Sequence, residues 1–159
     1  MRPILIVACL FSSLAFGQIK SEEHSFRVVK LVEGLDHPWS LAFLPDGRML
    51  VTERPGRLRI VANGKLEPQP VSGVPEVVAQ GQGGLFDVAL HPRFADNSLV
   101  YLSYNGRGPG GTGTELARGK LVGNRLENVQ RLFAQEPKGR SGLHFGGRIV
   151  FDQIGRAHV

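Results

Sequence analysis

The chain has a single cysteine in 159 residues, Cys9, and it lies within the apolar stretch at the N-terminus. A mature protein without that stretch has no thiol, which excludes disulfide frameworks, thiolate metal sites and cysteine nucleophiles together. Histidines are few and scattered: His24, His37, His91 and His144 are far apart, and no H-E-x-x-H pair occurs, so no local metal site is expected. The G-x-S-x-G elbow of serine hydrolases is missing as well. The formal charge is +5, yet Lys and Arg stand singly and form no dense basic run, so no nucleic-acid partner is expected. The longest apolar stretch, Ile4 to Leu10 extended through Phe16, gives way to Gln18, Lys20, Ser21, Glu22 and Glu23. That is short of the roughly 20 apolar residues a spanning helix needs.

The same stretch has the layout of a secretory leader. Arg2 supplies the basic start, and Ala15 and Gly17 stand at minus three and minus one of a cut before Gln18. Residues 1–17 are therefore read as a signal peptide, which implies a periplasmic or secreted protein with no membrane span after cleavage.

Glycine and proline are abundant, with 21 and 10 copies, too many for long helices. Between them lie apolar runs of strand length. Ser40-Leu-Ala-Phe-Leu, Met49-Leu-Val-Thr52 and Leu58-Arg-Ile-Val61 are separated by Pro45-Asp46-Gly47, Pro55-Gly56 and Asn63-Gly64, where Pro presets φ and Gly accepts a positive φ. A second set follows: Phe86 to Leu90, Leu99 to Tyr104, Glu115 to Leu121 and Arg125 to Phe133, with a third beginning at Gly147-Arg-Ile-Val-Phe-Asp152. Superposing Pro45 on Pro92 aligns Leu41-Ala-Phe43 with Val88-Ala-Leu90, close to the 40 to 50 residues of one four-stranded propeller blade. The expected fold is all-β: two antiparallel blades and the start of a third, an open part of a β-propeller. His37-Pro38 and His91-Pro92 are read as equivalent strand-edge corners with a structural task.

Three segments could carry chemistry. Gly108-Pro-Gly-Gly-Thr-Gly113 matches the dinucleotide fingerprint only as a bare pattern, because a strand-like run and not a helix follows it; it is read as a loop. Gly81-Gln82-Gly83-Gly84 places one amide among glycines just before a strand, where backbone can approach a ligand; a merely solvated Gln82 fits the segment equally. His144 lies in Gly142-Leu-His-Phe-Gly-Gly147, again just before a strand. An imidazole there suits a general base as well as a structural role.

Taken together, His37-Pro-Trp-Ser-Leu-Ala-Phe-Leu-Pro-Asp-Gly-Arg48, Thr52-Glu-Arg-Pro-Gly-Arg57, Gly81 to Pro92 and His144 to Asp152 resemble the soluble quinoprotein sugar dehydrogenases of the glucose/sorbosone dehydrogenase family, in its aldose sugar dehydrogenase branch. The resemblance covers roughly residues 26 to 152. It implies a six-bladed propeller that binds pyrroloquinoline quinone (PQQ) and calcium and oxidises aldoses at the anomeric carbon to lactones, passing electrons to an acceptor the sequence does not identify. It also implies that His144 is the general base and that Gln82 contacts the cofactor and sugar side of the site. Leu143 stands where some glucose-oxidising members have an acidic residue, which fits the broader aldose-oxidising branch. The family's calcium ligands and the cationic residues around its quinone come mainly from later blades, so this polypeptide alone is expected to be inactive. Two other readings of a propeller stay open, a lactonase with a channel metal and a non-catalytic binding protein. Residues 18–153 are accordingly read as the N-terminal part of such a propeller. Ile154-Gly-Arg-Ala-His-Val159 resembles a translated sequencing adapter and is read as a non-native tail.

Overall fold

The computed structural model describes residues 18–20, 22–152 and 155–158. The leader reading over 1–17, with Cys9, lies outside them, as do residues 154 and 159 of the tail. The chain divides into two compact units, Met1–Leu31 and Val32–Val159. In the first, β1 (Gln18–Lys20) pairs antiparallel with β2 (Ser25–Arg27).

The second unit holds two antiparallel four-stranded sheets in simple up-and-down order. The first consists of β3 (Pro38–Phe43), β4 (Met49–Glu53), β5 (Arg57–Ala62) and β6 (Lys65–Leu66). The second consists of β7 (Leu85–Leu90), β8 (Leu99–Gly108), β9 (Gly111–Val122) and β10 (Arg125–Ala134). Between β7 and β8 the chain makes one helical turn, α1 (Phe94–Asn97). In the same unit a third blade begins with β11 (Val150–Phe151), which pairs with β12 (Ala157–His158). This is the all-β, two-blades-and-a-start architecture that the turn spacing predicts.

The hairpins close where the sequence supplies the right turn residues. Asn63 and Gly64 both have positive φ, 51° and 72°, the geometry of a two-residue hairpin turn. Gly108-Pro-Gly-Gly-Thr-Gly113 forms the tight end of the β8–β9 hairpin, with Gly108 opposite Gly111 and Gly106 opposite Gly113. Gly108, Gly111 and Gly113 are strand residues in register, and only Pro109 and Gly110 form the turn itself.

The core lies between the two sheets, where Leu50, Leu58 and Ile60 meet Leu85, Val88, Val100 and Leu102. A second cluster covers the other face of the second sheet, joining Tyr101 and Leu116 to Ile149. Strand β8 is thus buried on both faces, which explains its nearly continuous apolar run.

Successive blades are stitched by a repeated polar device. The Ser40 N–H donates to Thr52 Oγ1 (3.0 Å), and that hydroxyl donates to the Phe86 carbonyl of the next blade (2.6 Å). One blade later the Asp87 N–H donates to Ser103 Oγ (3.0 Å), which donates to the Gly147 carbonyl. Ser40 in β3, Asp87 in β7 and Arg148, two residues before β11, are therefore equivalent positions in three successive repeats. Asp87, 3% exposed, ties all three: its carboxylate accepts from Ser40 Oγ, from Arg148 Nη1 (3.1 Å) and from the Ile149 N–H (2.8 Å).

The expected equivalence of His37 and His91 is corrected by this register. His37 precedes β3 whereas His91 follows β7, so they sit at opposite ends of their strands. The 47-residue offset that aligns Ser40 with Asp87 aligns His37 with Gly84, and the shared His-Pro dipeptide is not a shared position.

Candidate functional site

The up-and-down order sends alternate turns to opposite ends of the sheets. One end collects Asp36-His37, Arg54 to Gly56, Gly81 to Gly84, the β8–β9 turn and the 135–147 connection. Cross-links between these segments confirm the grouping: the Leu85 N–H donates to the Arg54 carbonyl (3.0 Å), and Thr112 and Gly139 exchange backbone hydrogen bonds of 2.8 and 2.9 Å. The other end carries Pro45 to Gly47, His91 to Ser98 and Asn124. His91 is fixed there between Tyr101 and Phe151, with its Nδ1 accepting from the Arg93 N–H (3.0 Å).

The two residues singled out from the sequence meet at the first end. Gln82 Oε1 accepts a hydrogen bond from the His144 backbone N–H at 2.9 Å, across 62 positions of sequence. The Gln82 N–H in turn donates to the Gly142 carbonyl at 2.9 Å, so two bonds zip the 81–84 loop to the 142–144 loop. Gly81 makes this approach possible. Its φ is +60°, and a Cβ there would come within 2.4 Å of the Gly142 oxygen.

His144 itself has φ +60°, a conformation uncommon for a non-glycine residue and one that the Gln82 amide helps to hold. The His144 side chain is exposed, and among the described residues its ring makes no hydrogen bond. Gln82 is also exposed, with its Nε2 uncommitted among the described residues. The arrangement leaves one imidazole and one amide donor exposed on two loops joined by that bond. Beside them lies a cleft of about 350 Å³, lined by Arg107, Arg140, Gly81 and Gly142 among others and by no carboxylate.

His37, at the same end, is committed to a different cluster. Its Nδ1 is 2.5 Å from Asp36 Oδ1, Arg57 Nη2 donates to Asp36 Oδ2 (2.8 Å), and Arg57 Nε donates to buried Glu53 (2.5 Å). The His37 and Arg57 contacts hold the Asp36 carboxyl below the usual carboxylate range. Among the described residues no group of three or more His, Cys, Asp or Glu side chains is placed to hold a metal ion.

Sequence reasoning missed Asp87 and Arg54. Asp87 had a signal, since the repeat aligns it with Ser40 and both are polar in an otherwise apolar strand. Arg54 had none, because its side chain acts on a loop 27 and 29 residues away.

Two antiparallel four-stranded blades packed through a shared core, with the start of a third, define the class: part of a β-propeller. The chain belongs to the glucose/sorbosone dehydrogenase family, whose model, "Glucose / Sorbosone dehydrogenase", matches residues 35–159. It is similar to the aldose sugar dehydrogenase YliI of Escherichia coli K12, at 48% identity over 129 residues, covering 79% of this chain and 35% of that protein. The apo crystal structure of the soluble E. coli aldose sugar dehydrogenase superposes with a TM-score of 0.70 at 49% identity, over 74% of this chain and 35% of that one. The PQQ-bound aldose sugar dehydrogenase of Streptomyces coelicolor superposes at 0.67 with 29% identity, over 82% and 39%. The chain spans about a third of the length of the curated relatives it matches.

Proposed function

We propose that the full-length protein carrying these residues is a PQQ-dependent aldose dehydrogenase, oxidising the anomeric carbon of an aldose to the lactone. The observation that carries the reading is the pair at the loop end: an exposed imidazole without a hydrogen-bond partner among the described residues, its backbone held by the amide of Gln82. In this reading a free ring nitrogen of His144 accepts the proton of the anomeric hydroxyl. Gln82 orients the base through Oε1 and offers Nε2 to the ligand.

These groups fit the hydroxyl side of a quinone site, since both are open and neither is neutralised by a neighbouring charge. PQQ, when bound, supplies the acceptor for the hydride leaving the sugar carbon. The bound quinone in the S. coelicolor relative supports the cofactor assignment. Calcium, the resemblance's second expectation, belongs to the same proposal, as does periplasmic or secreted placement, which rests on the leader reading of residues 1–17. Among the described residues no helix is long and apolar enough to cross a membrane.

The test uses the full-length apo-protein. With PQQ and calcium it should reduce an artificial electron acceptor in the presence of aldoses, and His144→Ala should lower turnover by about 10² to 10⁴. Undiminished turnover in that variant removes His144 from the mechanism; lactone hydrolysis without PQQ replaces the reading with a hydrolytic one.

A further inference from the structure

From the geometry around Arg54 we infer that this residue is a positioning residue for the site: it sets the Gly81–Gly84 loop and, through Gln82, the backbone of His144. The inference rests on the dehydrogenase reading only for its effect on turnover; the geometry stands apart from it.

Arg54 directly follows the last residue of β4, and its backbone is held on both sides. Its N–H donates to the His37 carbonyl (3.0 Å), and its own carbonyl accepts from the Leu85 N–H (3.0 Å). From that anchored point the guanidinium reaches forward. Its Nη1 donates to the Gly81 carbonyl at 3.1 Å and to the Gly83 carbonyl at 3.2 Å, gripping the carbonyls of the two residues that flank Gln82. The loop needs such a grip, because three of its four residues are glycines and a free glycine segment has much conformational entropy to lose. The packing agrees: a Cβ at Gly84 would lie 2.4 Å from the Arg54 carbonyl oxygen and 2.5 Å from its Cγ, so the loop fits flush along this arginine.

The effect is transmitted by the zip described above. With the 81–84 backbone fixed, Gln82 N–H and Oε1 both face the 142–144 loop and engage Gly142 and His144. Without the guanidinium, the Gly81 and Gly83 carbonyls lose their side-chain donor, and the loop keeps only the zip and two backbone bonds, from the Gly83 N–H to the Gln80 carbonyl (2.9 Å) and from the Asn105 N–H to the Gly84 carbonyl (2.8 Å). Arg54 touches no reacting group; it acts on the direction of the imidazole, whose misplacement by about 1 Å can cost as much as 10²-fold in rate.

The experiment is amide hydrogen exchange on the full-length protein, with turnover measured in parallel. Arg54→Ala should speed exchange of the Gln82 and His144 N–H groups by about tenfold, the equivalent of one net hydrogen bond, while Leu102 and Val61 in the sheets stay protected. In the same variant kcat should fall and KM change little. Arg54→Lys keeps the charge but loses the fixed planar fork, and should fall between the two. If Arg54→Ala does not fold, Gln82→Ala and Arg54→Lys carry the test: Gln82→Ala should free the His144 amide, and Arg54→Lys should free both amides in part. Wild-type exchange at Gln82 and His144 in every folded Arg54 variant overturns the inference. Undiminished turnover in His144→Ala sinks the function reading instead and leaves the exchange result standing.

Discussion

At the scale of single residues, Glu115 is a heavily loaded group away from the site. It is 3% exposed in the second sheet and accepts from Lys138 Nζ (2.6 Å) and Tyr104 Oη (2.9 Å), with Arg131 Nη1 at 3.5 Å. Burial pushes its carboxyl pKa up, but the hydrogen bonds from Lys138 and Tyr104 outweigh that and leave it below the usual carboxylate range. Burial first, and Glu115 second, push the Tyr104 phenol well above the usual range for tyrosine. The depressed carboxyl means the unfolded chain binds the proton more readily, so this stabilisation is present above an unfolded pKa of about 4.3 and is lost as pH falls through the folded value. Urea midpoints should therefore drop on acidification below about pH 4.3, and Glu115→Gln should flatten that drop. Lys138 is 5% exposed, so Lys138→Met strands a buried carboxylate and should cost about 3 kcal/mol in urea unfolding. Arg48→Met, which breaks the exposed pair with Asp46, should cost less than about 1 kcal/mol. Equal costs for the two would mean that Glu115 is not desolvated as described.

At the scale of elements, the blade-to-blade stitch makes an equally direct claim. Thr52 and Ser103 are fully buried, and each hydroxyl serves one strand N–H and one carbonyl of the following blade. Thr52→Val and Ser103→Ala should each destabilise by about 1 to 3 kcal/mol per group left unpaired, whereas Thr52→Ser, keeping the hydroxyl, should cost much less. Ser72→Ala, whose hydroxyl is exposed, should stay within about 0.5 kcal/mol. Strands and turns were legible in the sequence because both obey local rules: apolar runs of strand length, and turn residues such as Asn63 and Gly64 that take a positive φ. The repeat was legible too, from Pro45 and Pro92. What the sequence withheld is pairing across distance. The Gln82–His144 bond spans 62 residues and the grip of Arg54 spans 27 and 29, and no local pattern encodes a contact between two glycine-rich loops. The His-Pro dipeptides misled for the converse reason, since an identical local motif serves at either end of a strand.

At the scale of the whole molecule, the first strand of the first blade has a face that the described residues leave uncovered. Leu41 is 51% exposed and Phe43 69% exposed, although their neighbours Ser40 and Ala42 on the other face are half-buried against the next blade. Strand β7, its counterpart in the second blade, is covered on both sides, with Leu85 and Val88 in one cluster and Ala89 packed in the other. A propeller closes only when every blade has two neighbours, and the chain spans about a third of the length of its curated relatives. The same substitution should then have opposite consequences in two lengths of chain. In the 159-residue chain, Leu41→Lys with Phe43→Lys should leave unfolding free energy within about 0.5 kcal/mol per site and reduce self-association, since exposed apolar patches promote it. In the full-length protein the same pair should destabilise by several kcal/mol, because two lysines would be forced into a dry blade-to-blade contact. Sedimentation and urea unfolding of both lengths provide the readout. A full-length protein indifferent to both lysines would show that β3 is an outer edge and not the seam at which the ring closes.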